Sequence, residues 1–139
     1  MTLYQHYYID RAYELLSLWQ LLQETFAIQK ALYPGCFVHI APSFYFPEVV
    51  YVDSDRNAAR FFRESTASEI IHQRKQGMAD SILRFHPQSY TDPIPEPFYS
   101  FDLLISLYAG VISQPCKAYL KQGGYLLANN SHGDASIAF

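Results

Sequence analysis

The sequence predicts a doubly wound α/β fold, three layers deep, with a mainly parallel five-stranded sheet. Two observations predict it. Apolar strand-like segments alternate with helical ones through five strands after an opening helix. The clearest strand, Val49-Val50-Tyr51-Val52, is apolar at every position, as a parallel strand covered on both faces should be. Right-handed crossovers then give the strand order 3-2-1-4-5.

Each element has a local reason. Thr2-Leu3-Tyr4-Gln5 has the form of a capping box, and Tyr8, Ala12, Leu15, Leu16, Trp19, Leu22 and Phe26 follow at helical spacing. Residues 1–29 therefore read as an N-terminal helical segment and residues 30–139 as the core of the same domain. Lys30-Ala31-Leu32-Tyr33 is the first strand, stopped by Pro34-Gly35. Residues 36–43 read as a short helix or tight loop and Phe44-Tyr45-Phe46-Pro47 as a turn. After the second strand, Ser54 or Asp55 caps a helix that buries Ala58, Ala59, Phe61 and Phe62. Thr66-Ala67-Ser68-Glu69 is a second capping box, opening a helix that Gly77 stops.

Residues 81–85 form the third strand, and four prolines make residues 86–99 an extended loop. Phe101-Asp102-Leu103-Leu104-Ile105-Ser106 is the fourth strand. Residues 113–122 read as helical, with Pro115 in the first turn, and Gly123-Gly124 as the turn into a fifth strand, Tyr125-Leu126-Leu127-Ala128. Asp134 caps a last helix that has barely begun at Phe139. Strand five is then a bare sheet edge, which invites a homodimer through that edge or through the Tyr-rich first helix.

Composition narrows the function. Of 139 residues half are hydrophobic, 17% are charged and 17% aromatic, which excludes a disordered chain. A net charge of -3 gives no basic face for nucleic acid. Two distant cysteines make no disulfide framework, no signal peptide is evident and no stretch reaches membrane-helix length, so a cytoplasmic protein is expected. Five histidines lack paired metal spacing, and the serines lie in no nucleophile elbow.

In such a sheet a ligand binds beyond the carboxyl ends of the strands where their order reverses, between strands one and four. The residues there are Tyr33, Gly35, Cys36, Asp53, Ser54, Ser89, Ser106 and Tyr108, with residues 129–132 after strand five. A carboxylate in the place of Asp53 can accept hydrogen bonds from vicinal ribose hydroxyls, or it can cap the next helix. Gly35 lets backbone turn and approach a ligand. Cys36 is a nucleophile or a small buried filler, and His132 beside Asp134 is a base or part of a capping loop.

Taken in order, Ala31-Leu32-Tyr33-Pro34-Gly35-Cys36, Val50-Tyr51-Val52-Asp53, Phe101-Asp102-Leu103-Leu104-Ile105-Ser106 and Tyr119-Leu120-Lys121-Gln122-Gly123-Gly124-Tyr125-Leu126-Leu127 resemble the class I S-adenosylmethionine-dependent methyltransferases. The resemblance spans residues 31–130 and is similar to an uncharacterised bacterial subfamily without the usual sixth and seventh strands. It implies S-adenosylmethionine as cofactor. Gly35 would hold the methionine part and Asp53 the ribose. The loop at residues 88–90 would flank the adenine, and Ser106 with Tyr108 would face the methyl group. The family's loop carries two or three glycines where this chain has Gly35-Cys36-Phe37-Val38-His39, and Phe37 would obstruct close backbone approach if it stood in the place of the second. The implied reaction is direct displacement at the methyl carbon, governed by alignment. The alternative is a non-catalytic adenosyl-ligand or protein-interaction module built on the same fold.

Overall fold

A computed structural model describes residues 3–10, 13–76, 78, 81–107, 113–129 and 135–138. Its strands are β1 (Lys30–Pro34), β2 (Glu48–Val52), β3 (Ile82–His86), β4 (Phe101–Ser106), β5 (Leu120–Asn129) and β6 (Ala135–Ala138). They form one sheet in the order β3-β2-β1-β4-β5-β6. The first five are parallel and give the expected 3-2-1-4-5.

The sixth strand corrects the sequence reading. In place of an incipient helix after Asp134, β6 runs antiparallel to β5, from Asn129↔Ala135 to Leu126↔Ala138. The edge of β5, expected to be bare, is therefore paired within the chain by β6.

Alternate side chains divide between two cores, as a pleated strand requires. Ala31, Tyr33, Val49, Tyr51, Leu103 and Ile105 lie on one face. Over them pack α1 (Leu16–Phe26), α2 (Arg56–Arg63), α3 (Thr66–Lys75) and a 3₁₀ turn at Ala41–Phe44. Trp19, Leu22, Phe61 and Ile71 are the buried anchors of those helices, each worth about 1.5–3 kcal/mol of transfer free energy. Leu32, Val50, Val52 and Leu104 point the other way. There the covering layer is mostly the loop at residues 87–100, through Ile94, together with Cys116 and Tyr119. The Ile94 N–H donates to the Tyr119 hydroxyl at 2.7 Å.

Among the described residues the third layer is thin, because the helix expected over residues 113–122 is cut short. It is one turn, α4 (Ser113–Cys116), and a 3₁₀ turn at Lys117–Tyr119. The Tyr99 and Ser100 amides take the carbonyls of Ala118 and Tyr119, which fixes this turn against the residues that lead into β4. β5 consequently starts at Leu120 and contains Gly123-Gly124, which the sequence places in a turn. Phe101 faces Leu120 but Leu103 faces Tyr125, a bulge accommodated by Gly123 at φ +83°.

The opening helix is also interrupted. A π-helical turn at Gln5–Ile9 is separated from α1, and Leu15 between them has a left-handed φ of 61°. Glu14 explains the break. Its carbonyl accepts from Trp19 Nε1 at 2.8 Å and from His39 Nε2 at 3.1 Å, while its carboxylate takes the Tyr4 hydroxyl and Arg74. The tyrosines split accordingly: Tyr4 and Tyr8 are buried, Tyr7 and Tyr13 exposed. The Thr2 cap lies outside the described residues. Asp55 caps α2, its Oδ1 accepting from the Asn57 and Ala58 amides. The capping box at Thr66 does not form as expected. Ser65, at φ 67° and without a side-chain cap bond, precedes α3, and Thr66 is its first residue.

Candidate functional site

Parallel pairing from Lys30↔Glu48 to Pro34↔Val52 sends the chain out of β1 and β2 at the same end of the sheet. Gly35 and Asp53 are therefore neighbours. Gly35 turns at φ +68° and donates its N–H to the Val52 carbonyl at 2.7 Å. Ser106, half-buried, ends the parallel β4 at the same end.

Asp53 binds the loop after β1. Its Oδ2 accepts the Phe37 N–H at 2.7 Å and its Oδ1 the Asp55 N–H at 2.9 Å. Helix capping falls to Asp55, so that reading of Asp53 is set aside. The Asp53 amide reaches the His86 carbonyl at 3.3 Å, tying the tip of β3 to the same point. Phe37 has φ 49°, and its ring meets Tyr7 edge-on at 5.2 Å.

Two predicted site residues turn inward. The Tyr33 ring is fully buried, its hydroxyl 2.7 Å from His39 Nδ1. Because His39 Nε2 faces a carbonyl, which only accepts, Nε2 carries the proton and Nδ1 accepts from Tyr33. Burial lowers the pKa of His39 to about 4, so this imidazole is neutral at pH 7. The Cys36 thiol is also buried, donating toward the Phe37 and Val52 carbonyls. Burial first, and then the Asp53 charge, push its pKa well up. A thiol held protonated is a filler, not a nucleophile.

The remaining predicted residues are dispersed. Ser54 is exposed beside Asp53. Ser89 pairs with the Thr91 hydroxyl at 2.7 Å within the loop after β3. Tyr108 and residues 130–132 lie outside the described residues. The structure thus brings Gly35 and Asp53 together at one end of the sheet, with Ser106 at the same end, and buries Tyr33 and Cys36.

The sequence reading missed a cluster on the loop after β3. Glu96, with a side chain only 4% exposed, accepts from Arg84 Nε and Nη2, both at 2.8 Å, and lies 2.8 Å from His86 Nε2. Arg84 reaches Glu48 at 2.6 Å as well. An acid between two prolines, Pro95 and Pro97, is the only sequence signal, and an unpaired buried carboxylate would be costly there. Among the described residues no group of three or more His, Cys, Asp or Glu is placed to hold a metal ion, and no helix is long and apolar enough to cross a membrane.

The carboxylate of Asp53 suits a ribose-bearing ligand in one testable respect. A carboxylate offers about four lone-pair sites, and Asp53 uses one on each oxygen. One per oxygen is left for vicinal hydroxyls.

No family model and no curated protein sequence matches the chain. Solved structures do. The YcgJ protein of Bacillus subtilis is 22% identical over 79% of this chain and 48% of its own, with a TM-score of 0.53. The N-methyltransferase NodS of Bradyrhizobium japonicum is 15% identical over 91% and 71%, at 0.55. The methyltransferase PaMTH1 of Podospora anserina, solved with S-adenosylhomocysteine, is 14% identical over 82% and 51%, at 0.53. The fold is that of the class I S-adenosylmethionine-dependent methyltransferases. The chain spans about half to three fifths of the length of several of these structures.

Proposed function

We propose that the chain is a methyltransferase-like protein that binds S-adenosylmethionine, or its demethylated product, between the loop after β1 and Asp53. The supporting observation is the bond from the Phe37 amide to Asp53, which ties the loop after β1 to the tip of β2. Asp53 would hold the ribose through its remaining lone pairs, and Gly35 would let backbone approach the methionine part. NodS and PaMTH1, each solved with S-adenosylhomocysteine, support the ligand class. The bound sulfonium would supply an electrophilic methyl group. The chain's own part is to align an acceptor with it from the Ser106 side, since alignment governs such a displacement.

A second reading, a non-catalytic adenosyl-ligand module, is favoured by one observation. Both Asp53 oxygens already hold backbone amides, so the carboxylate has a structural task as well.

Calorimetric titration of the full chain with S-adenosylmethionine and S-adenosylhomocysteine tests the proposal. Binding by wild type, weakened about tenfold or more in Asp53→Ala, is expected. A folded wild type that binds neither compound overturns it. Binding with no methyl transfer across an acceptor panel selects the second reading.

A further inference from the structure

We infer that the outer face of α2 docks a short acidic segment of another protein, one that carries an aromatic side chain among its carboxylates. Arg56, Arg60 and Arg63 are exposed on this helix. At 3.6 residues per turn they fall within about 60° of one another and form a single ridge, about 10 Å long. Ala58 and Phe61 are turned the other way, into the core.

The ridge is not neutralised by the described residues. The guanidinium groups of Arg56, Arg60 and Arg63 have no partner among them, whereas Lys30, Arg74, Lys75, Arg84, Lys117 and Lys121 each have one. The acids nearest in sequence are otherwise placed. Asp55 Oδ1 holds the Asn57 and Ala58 amides, and Asp53 holds those of Phe37 and Asp55. Glu64, one turn beyond Arg60, makes no ion pair with a described residue. Local helix chemistry does not account for the arrangement either. Arg56 is the first residue of α2, where the helix dipole disfavours a cation. Arg56 and Arg60 stand one turn apart, so their like charges repel. The eight residues of α2 thus carry three positive charges and no negative one, in a chain of net charge -3. Such an excess is accounted for by a partner of opposite sign.

A groove beside the ridge supplies the second half of the partner's chemistry. A cavity of about 350 Å³ is lined by Ala59, Phe62, Arg63, Phe85 and Pro87. The Phe62 and Phe85 rings stack at 4.3 Å and both are only half-buried, so a further aromatic side chain can join them beside Arg63. An aromatic anchor flanked by carboxylates matches groove and ridge together. A nucleic-acid backbone or an anionic membrane fits less well. Each spreads its charge beyond the ridge and would meet Asp55 and Glu64, which are exposed at the two ends of α2.

The test is titration of the full chain with a synthetic, end-blocked peptide of two glutamates on either side of one phenylalanine, in about 50 mM salt, followed by amide shifts and calorimetry. Wild type is expected to bind, with shifts in α2 and at residues 85–87, and to lose affinity about tenfold or more in about 0.5 M salt. The peptide with alanine for phenylalanine is expected to bind more weakly, and the one with lysines for glutamates not at all. Replacing all three arginines, Arg56→Gln, Arg60→Gln and Arg63→Gln, is expected to leave the protein folded, since the side chains are exposed, while affinity falls about tenfold or more. Arg56→Gln alone is expected to keep or raise the melting temperature and still weaken binding, which a structural role would not do. Lys121→Gln removes an ammonium already paired with Asp102 and is expected to bind as wild type does. No shift in α2 at millimolar peptide overturns the inference. So does affinity unchanged in the triple variant, equal binding of the alanine peptide, or arginine-dependent binding of a DNA duplex or of phosphatidylserine vesicles that exceeds binding of the peptide.

Discussion

The backbone amide of Phe37 and the carboxylate of Asp53 meet at 2.7 Å, linking the loop after β1 to the tip of β2. With the Asp55 amide on the other oxygen, one side chain organises two loops. Phe37 keeps its left-handed backbone under that constraint. Asp53→Ala, measured by urea unfolding without ligand, should lose about 2 kcal/mol, the usual scale for hydrogen bonds to a charged group. Asp53→Asn keeps one acceptor oxygen and should lose less. Equal stability of all three proteins would show these bonds to be idle.

Gly124 gives a second, purely steric prediction. A Cβ there would stand 2.7 Å from Leu120 Cδ1 and 3.0 Å from the Lys121 carbonyl oxygen. Leu120 is buried and the carbonyl is backbone, so neither yields freely. Gly124→Ala should cost about 1–3 kcal/mol, the range for overpacking, seen as a lower midpoint in urea. Gln122→Ala, exposed two residues away, serves as the control and should change little.

Most of the sheet was legible in the sequence, because period and apolarity act locally. β1 to β4 fall within a residue of their expected bounds, and parallel crossovers fixed the order. The failures share a cause, namely long-range partners overriding local signals. Residues 113–122 have helix-forming chemistry, yet the Tyr99 and Ser100 amides take the Ala118 and Tyr119 carbonyls and the chain turns into β5 at Leu120. The first helix has an unbroken apolar pattern, yet Glu14 serves Tyr4, Trp19, His39 and Arg74 at once and breaks it. At the site, Gly35 and Asp53 were legible because strand ends are. The inward turn of Tyr33 was not, since it depends on His39.

Glu96 governs whether the thin third layer stays in place. It is joined to Arg84 by a bidentate pair and to His86, both on β3. Burial raises its pKa, but the bonds from Arg84 and His86 outweigh that and hold the carboxyl below its usual range. Glu96→Gln keeps shape but loses the charge, and should cost about 2 kcal/mol. The loss should be local: amide hydrogen exchange should quicken in residues 87–100 before it does in β1 or β2. Uniform acceleration across the chain would count against a clamp confined to this loop.

His39 predicts how stability depends on pH. In the fold its pKa is lowered from 6.5 to about 4, by burial against the opposing bond to the Glu14 carbonyl. Unfolded, it titrates near its ordinary value. Between about pH 4 and 6.5 the unfolded chain therefore holds a proton that the folded chain does not. Stability must rise with pH across that window. The contribution is full above pH 6.5 and has fallen by about 3 kcal/mol near pH 4. Glu96 and Asp102 are held below the usual carboxylate range. Their contribution is present above their unfolded pKa values and is lost as pH falls through the lower, folded ones, so it adds mainly at the acid end of this window and beneath it. The fall between pH 6.5 and 5 is then assigned to His39. His39→Gln can still accept from Tyr33 and donate toward Glu14 but cannot charge. It should be less stable at pH 7 and nearly flat between pH 6.5 and 5 in urea unfolding. A variant that keeps the wild-type slope would place the titrating group elsewhere.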